Sequence, residues 1–222
     1  ANRVASDDLD AEHLSRLART AGQIAEVGGG PVGTEPHRPH GHGGHATHRV
    51  DVGLGSHVSA DRRLDGRLAA AVMSIPAMKG VEFGDGFALA MMKGTEAQDS
   101  FRPGPDGAPV RGSDRMGGLE GGITNGQPLV LRAAMKPIPT TIKKQPTLDL
   151  ATGTAAETTY ERSDTCPVPR AVVVVEAAVC LVLAEALADK LGGDSLAEME
   201  PRFAALPRTV RLSAAAKRFW EV

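Results

Sequence analysis

Residues 162–191 read "RSDTCPVPRAVVVVEAAVCLVLAEALADKL". A cation, a hydroxyl, a carboxylate and a thiol are crowded against the start of a run that is apolar from Ala171 to Ala184 except for Glu176. That run falls short of the ~20 apolar residues a bilayer requires and carries a charge in its middle. It predicts a buried core helix from about Pro169 to Leu191. The glycines of "GGD" stop this helix at its C-cap, and Asp194 or Ser195 opens a last helix toward Phe203.

Upstream of the helix the pattern changes to short extended pieces. "PLVLRAAMKPIPT" (128–140) is a strand halted by two prolines, and "YERSDTC" is another short extended segment. "KGVEFGDGF" is a strand running into a glycine turn. Before it, Ser59 or Asp61 opens a helix that presents Leu64, Leu68, Ala71 and Val72 on one face and ends before Pro76. The stretch from Thr95 to Gly118 is rich in Gly, Pro and charge and reads as a long surface loop. Strands and helices therefore mix without regular alternation. This predicts an α+β fold in which antiparallel strands pack against helices, and not a doubly wound parallel sheet.

The N-terminal part divides differently. Residues 1–28 predict a peripheral helical segment, with Leu9, Leu14, Leu17, Ile24 and Val27 near helical spacing. Residues 29–49, containing "TEPHRPHGHGGHATH", have no hydrophobic periodicity and predict a flexible His/Gly/Pro-rich loop. Residues 50–206 are the globular core and 207–222 a C-terminal tail. The absence of an initiating Met points to a fragment or processed chain, and the first residues lack the basic and apolar regions of a signal peptide.

Composition narrows the function. With 25 basic and 27 acidic residues the net charge is -2, which gives no broad attraction to nucleic acid or to a membrane surface. Cys166 and Cys180 are too few for a disulfide framework and are not spaced as a metal site, so the expected compartment is reducing, namely the cytoplasm.

Three motifs can carry chemistry. "GGLEGGITNGQP" (117–128) holds five glycines, which suit either a tight turn or close backbone approach to a ligand, and its spacing matches neither a dinucleotide fingerprint nor a P-loop. Lys136 in "MKPIPTTIKK" is either a solvated strand end or a partner for phosphate, with Pro137 and Pro139 stiffening the backbone beside it. Arg162, Asp164 and Arg170 form either a structural ion-pair network or a tuned acid–base cluster.

Taken in order, "GGLEGGITNGQP", "RAAMKPIPT" and "RSDTCPVPRAVVVVEA" resemble motifs of the chorismate synthase family. "GLGSHVSADRRLDGRLAAAVMSIPAMKGVEFGDGF" lies upstream of them and "LADKLGGDSLAEM" downstream. The resemblance runs from about Gly53 to about Leu206 and implies the C-terminal portion of a bacterial-type enzyme, part of a β-α-β sandwich. It implies conversion of 5-enolpyruvylshikimate 3-phosphate to chorismate and phosphate by trans-1,4-elimination, a carbon–oxygen lyase reaction that requires reduced FMN without net redox change. It also implies a homotetramer, and an external reductase that draws on NADPH to supply the flavin.

By this resemblance the flavin contacts fall on Pro76 and Ala77, on Gly121, on Lys136, Pro137, Ile138, Pro139 and Thr140, and on Arg162. Asp164 matches the aspartate implicated in moving a proton at the flavin edge. The polyanionic substrate explains the demand for Arg and Lys.

The family's N-terminal half, which bears its acid–base histidines, has no counterpart in this sequence, and the expectation is a chain inactive on its own. His57 takes no catalytic role by motif. By the same resemblance, Asp114 stands where the family usually has Asn, and Thr165 where Pro is frequent. The His-rich segment departs from an apolar strand of the family, as a local frame change in a GC-rich gene would produce. Two alternatives are a non-catalytic flavin-binding or oligomerising remnant, and a metal-binding protein using His37, His40, His42, His45 and His48.

Overall fold

The structure, a computed structural model, describes residues 53–105, 109–140, 142–162 and 167–206, together with the strand formed by residues 42–49. The helical segment expected over residues 1–28 lies outside the described residues. Its centre is an antiparallel sheet of β1 (His42–Arg49), β7 (Pro128–Met135) and β2 (Met78–Phe83), with β7 in the middle. The registers place Ala46 opposite Leu131 on one side and Phe83 opposite Leu131 on the other. In β7, Leu129, Leu131 and Ala133 are buried while the alternate residues are less so, which is the two-residue period of a sheet with one covered face.

Two helices supply the cover. Helix α1 (Leu64–Met73) buries Leu64, Leu68 and Val72 at i, i+4 and i+8. Helix α2 (Val168–Leu191) begins with Pro167 and Pro169, whose missing N–H groups cost nothing in a first turn. It buries Ala171, Val175, Val179, Val182 and Ala186. α1 packs on β2 and α2 on β1, and the helices touch each other. Arg67 fastens them by ion pairs to Glu185 at 2.9 Å and Asp189 at 3.6 Å. Gly192 at φ 59° ends α2, and α3 (Leu196–Ala204) follows, with Arg202 donating to the Leu191 carbonyl at 2.8 Å.

The predicted α+β class and the strands and helices around residues 64–83, 128–135 and 168–204 are present. Four expectations change. Residues His42–Arg49 are not loop but strand β1. A ladder needs only backbone N–H and C=O groups, which His, Gly, Ala and Thr provide without apolar periodicity. Residues Ala60–Arg62 form a 3-10 turn, so α1 starts at Leu64 and not at Ser59 or Asp61. The stretch 95–118 contains the hairpin of β3 (Phe101–Pro103) and β4 (Pro109–Arg111), and Asp99, just before β3, is buried. Finally, α2 is buried along one face only: Val173, Val174 and Leu181 are 65%, 50% and 68% exposed. By length and composition alone, α2 is long and apolar enough to cross a membrane.

Two smaller hairpins and a 3-10 turn at Gly86–Met91 also lie among the described residues. β5 (Leu119–Glu120) pairs with β6 (Ile123–Thr124), and β8 (Pro146–Leu148) with β9 (Ala155–Glu157).

Candidate functional site

The segment leaving α1 makes a tight turn. The amide of Met78 donates to the Ile75 carbonyl at 3.2 Å, with Pro76 and Ala77 between them and Ala77 at φ 68°. Proline followed by a left-handed residue is the pattern of a type II turn, whose third position ordinarily takes glycine. Ala77 is the single non-glycine residue with positive φ among those described. The strain is held because the Ala77 carbonyl accepts the Lys136 amide at 2.8 Å, one step beyond the β2–β7 ladder.

Pro76, Ala77 and Lys136 are thereby brought together, all exposed, at one end of the sheet. Beyond them Pro137 and Pro139 cannot donate, and Ile138 and Thr140 are half-buried. The ammonium of Lys136 has no ion-pair partner among the described residues. A free cation beside proline-stiffened backbone suits an anionic group of a ligand.

Gly121 lies elsewhere. With Gly122 it forms the two-residue loop between β5 and β6, and both have positive φ, 61° and 86°, as a type I′ hairpin requires. The two glycines differ in surroundings. A Cβ on Gly122 would lie 2.8 Å from Arg63 Cγ and from the Ser56 carbonyl oxygen, whereas one on Gly121 would meet only His57 Cβ at 4.0 Å. The face of Gly121 is open to an approaching ligand. The Gly122 carbonyl accepts the Leu64 amide at 2.9 Å, so this hairpin abuts the N-terminus of α1. Pro76 and Ala77 follow its C-terminus, with about 15 Å of helix between.

Charged groups brace the hairpin from behind. The Arg111 guanidinium, whose side chain is 10% exposed, holds Glu120 through both terminal nitrogens, one at 3.0 Å, and covers the Phe101 ring at 4.5 Å. Asn125 Nδ2 also donates to Glu120, at 3.2 Å. Asp99 accepts the amides of Arg115 at 2.8 Å and Met116 at 3.0 Å, and the Ser113 hydroxyl. Asp114 accepts the Gly118 amide at 2.8 Å. Burial pushes the Asp114 carboxyl up to about 6; the like charges of Asp99 and Glu120 add to the rise, and the Gly118 amide and Arg111 oppose it. Sequence reasoning noted Asp114 only as a departure from a pattern and missed Asp99, Arg111 and Glu120. The concentration of charge in "VRGSDRMGGLEGG" was the available signal.

Of the cluster that precedes α2, Arg162 is exposed, and Asp164 lies outside the described residues together with Cys166. Burial raises the Cys180 thiol, with Glu176 contributing, which keeps it protonated and unreactive. His37 and His40 of the metal reading also lie outside the described residues. Among those described, no group of three or more His, Cys, Asp and Glu side chains could hold a metal ion.

Comparison with known proteins shows the family and the fold. Residues 41–188 match the family model described as chorismate synthase. The chain is 60% identical over 161 residues to the chorismate synthase of Mycobacterium avium (strain 104), covering 72% of this chain and 40% of that relative. Over the same length it is 59% identical to that of Mycobacterium tuberculosis (strain H37Rv). A crystal structure of chorismate synthase superposes with a TM-score of 0.58 at 43% identity, covering 73% of this chain and 42% of that one. The chain thus spans about two-fifths of the relatives it matches, and within that span both its sequence and its fold are those of the chorismate synthase family, to which it belongs.

Proposed function

We propose that this chain supplies part of the flavin-binding framework of a chorismate synthase, the lyase that converts 5-enolpyruvylshikimate 3-phosphate to chorismate and phosphate. The observation that carries the reading is the hydrogen bond between the Lys136 amide and the Ala77 carbonyl, which joins two motifs that resemblance assigns to the flavin. Reduced FMN, when bound, supplies the electron-rich ring that assists departure of phosphate. The chain's own residues hold it. Lys136, with Pro137, Ile138, Pro139 and Thr140, offers a cation and a rigid backbone; Pro76 and Ala77 offer an exposed turn; Gly121 offers close approach. Arg162 adds a second cation, and Asp164 is the proposed proton carrier.

A homotetramer, an NADPH-dependent external reductase and a cytoplasmic location belong to the same proposal. The chain spans only 40% of its relatives, which favours binding without turnover when it acts alone. The test is an anaerobic titration with FMN and 5-enolpyruvylshikimate 3-phosphate that follows the flavin spectrum and chorismate together. Flavin binding weakened ~10-fold or more by Lys136→Ala supports the reading, because one charge-assisted contact is worth about that factor. No flavin binding by the chain, alone or with the remaining portion of a relative added, overturns it. Chorismate formed by the chain alone overturns the expectation of inactivity.

A further inference from the structure

The charges behind the glycine hairpin do not balance. Arg111 faces three carboxylates, Asp99, Asp114 and Glu120. It is committed to Glu120 through both nitrogens, and its remaining bond goes to the Asp99 backbone carbonyl at 3.4 Å. The next cation along the chain, Arg115, turns to Asp85 at 3.0 Å. Asp99 already accepts three hydrogen bonds and stays ionised. Asp114, half-buried, is left with one amide and no cation of its own.

That amide is a consequential one. Asp114 takes the Gly118 N–H on its side chain and the Gly117 N–H on its own carbonyl at 3.1 Å. These two glycines are threaded so tightly between neighbouring strands that a Cβ on Gly117 would lie 2.3 Å from the Gly84 nitrogen. From Gly118 the backbone runs directly into β5 and the Gly121–Gly122 loop. The Gly118 carbonyl takes the Asn125 amide at 3.0 Å, which closes the hairpin from the other side. A displacement at Gly118 is therefore a displacement of the hairpin that presents Gly121.

We infer that Asp114 is a positioning residue for the glycine hairpin: it holds Gly118, and through it Gly121, in place, most firmly as the carboxylate, which accepts the Gly118 amide more strongly than the neutral acid does. The groups facing it are Asp99, Glu120, Arg111 and the Gly118 amide, and the first two repel its charge. Its ionisation, displaced upward to about 6, falls where a small change of pH switches the state. Asparagine, the residue that resemblance places at this position, accepts the same hydrogen bond without a charge. Asp114 is in this sense a titratable substitute for it. The significance of Gly121 as a flavin contact rests on the function proposed above; the hold on the hairpin does not.

The experiment is a pH titration of the 15N-labelled full chain from pH 4.5 to 8, following the amide resonances of Gly118 and Gly121. Both should shift with a common midpoint near 6. In Asp114→Asn they should stay at the low-pH positions of the unaltered chain throughout, and in Asp114→Ala the Gly118 amide should exchange ~10-fold faster. Resonances that do not titrate, or that titrate identically in Asp114→Asn, overturn the inference; if Asp114→Ala does not fold, these two arms decide. FMN titration at pH 5 and 7.5 separates the readings. Weaker binding at the lower pH, absent in Asp114→Asn, supports both. A hairpin that titrates in a chain that binds no flavin supports the positioning role and removes the flavin contact.

Discussion

The Asp99 carboxylate accepts the backbone amide of Met116 at 3.0 Å, and so ties the start of the β3–β4 hairpin to the segment that enters the glycine turn. Burial alone raises this acid, but the Ser113 hydroxyl, the Arg115 and Met116 amides and the charge of Arg111 outweigh it and hold it below the usual carboxylate value. Asp99→Ala leaves these donors buried without an acceptor. The expected loss is on the order of 3 kcal/mol in urea unfolding, with Asp99→Asn intermediate. Because the folded value is depressed, the contribution is complete above 3.8 and is lost as the pH falls through the folded value. Asp99→Asn should therefore flatten the acid limb of a Tm-against-pH curve.

Asp114 imposes the opposite slope. Its folded value of about 6 lies above 3.8, so its contribution is complete below 3.8 and is lost as the pH rises through about 6. Thermal melts should place Asp114→Asn level with the unaltered chain near pH 4 and above it at pH 7.5. Equal curves at both pH values would contradict the assignment.

Ala77 occupies a position built for glycine. A left-handed L-residue costs roughly 1–2 kcal/mol, and glycine returns roughly 0.5–1 kcal/mol of that as chain entropy. Ala77→Gly should thus be neutral or stabilising by up to about 1 kcal/mol. Ala77→Val, β-branched at φ 68°, should lower Tm clearly. A stabilising valine would mean that the turn is not held in this form.

Gly121 and Gly122 separate folding from binding. Gly122→Ala drives a Cβ to 2.8 Å from Arg63 Cγ and Ser56 O, and should cost several kcal/mol, ~3 or more, in chemical denaturation. Gly121→Ala incurs only the backbone strain, about 1 kcal/mol, and should act mainly on flavin affinity. Equal destabilisation by the two would remove the distinction.

Leu131, 1% exposed on the central strand, and Leu181, 68% exposed on α2, test which face of the helix is committed. Leu131→Ala should cost about 2–5 kcal/mol, and Leu181→Ala about 0.5 kcal/mol or less. A large loss at Leu181 would reveal a packed partner on that face.

The parts of the fold that sequence made legible are those in which side chains set the structure. The alternation of Leu129, Leu131 and Ala133 and the four-residue spacing of Leu64, Leu68 and Val72 are packing patterns, and both announce their element. β1 was not legible, because its place is set by the backbone of β7, and "HGGHATHR" carries no period to read. The same holds at the site. Resemblance supplied Ala77 and Lys136 as residues, but no spacing could show that one carbonyl accepts the other's amide across 59 positions of chain, 136 less 77. Asp99 was lost inside a stretch whose glycines and prolines suggested only loop, since its importance lies in distant amides and not in its neighbours.

The central position of β7 has a kinetic consequence. Both outer strands, at 42–49 and 78–83, precede it in the chain, and neither pairs with the other. During synthesis they leave the ribosome with their ladder groups unmatched, and wait until residue 135 has emerged before either finds its neighbour. The cover from α2 arrives only after residue 191. Such non-local closure is slow, and waiting strand edges are where nascent chains associate wrongly. The yield of folded protein should accordingly respond to translation speed and to chaperone supply in the interval between the second and seventh strands.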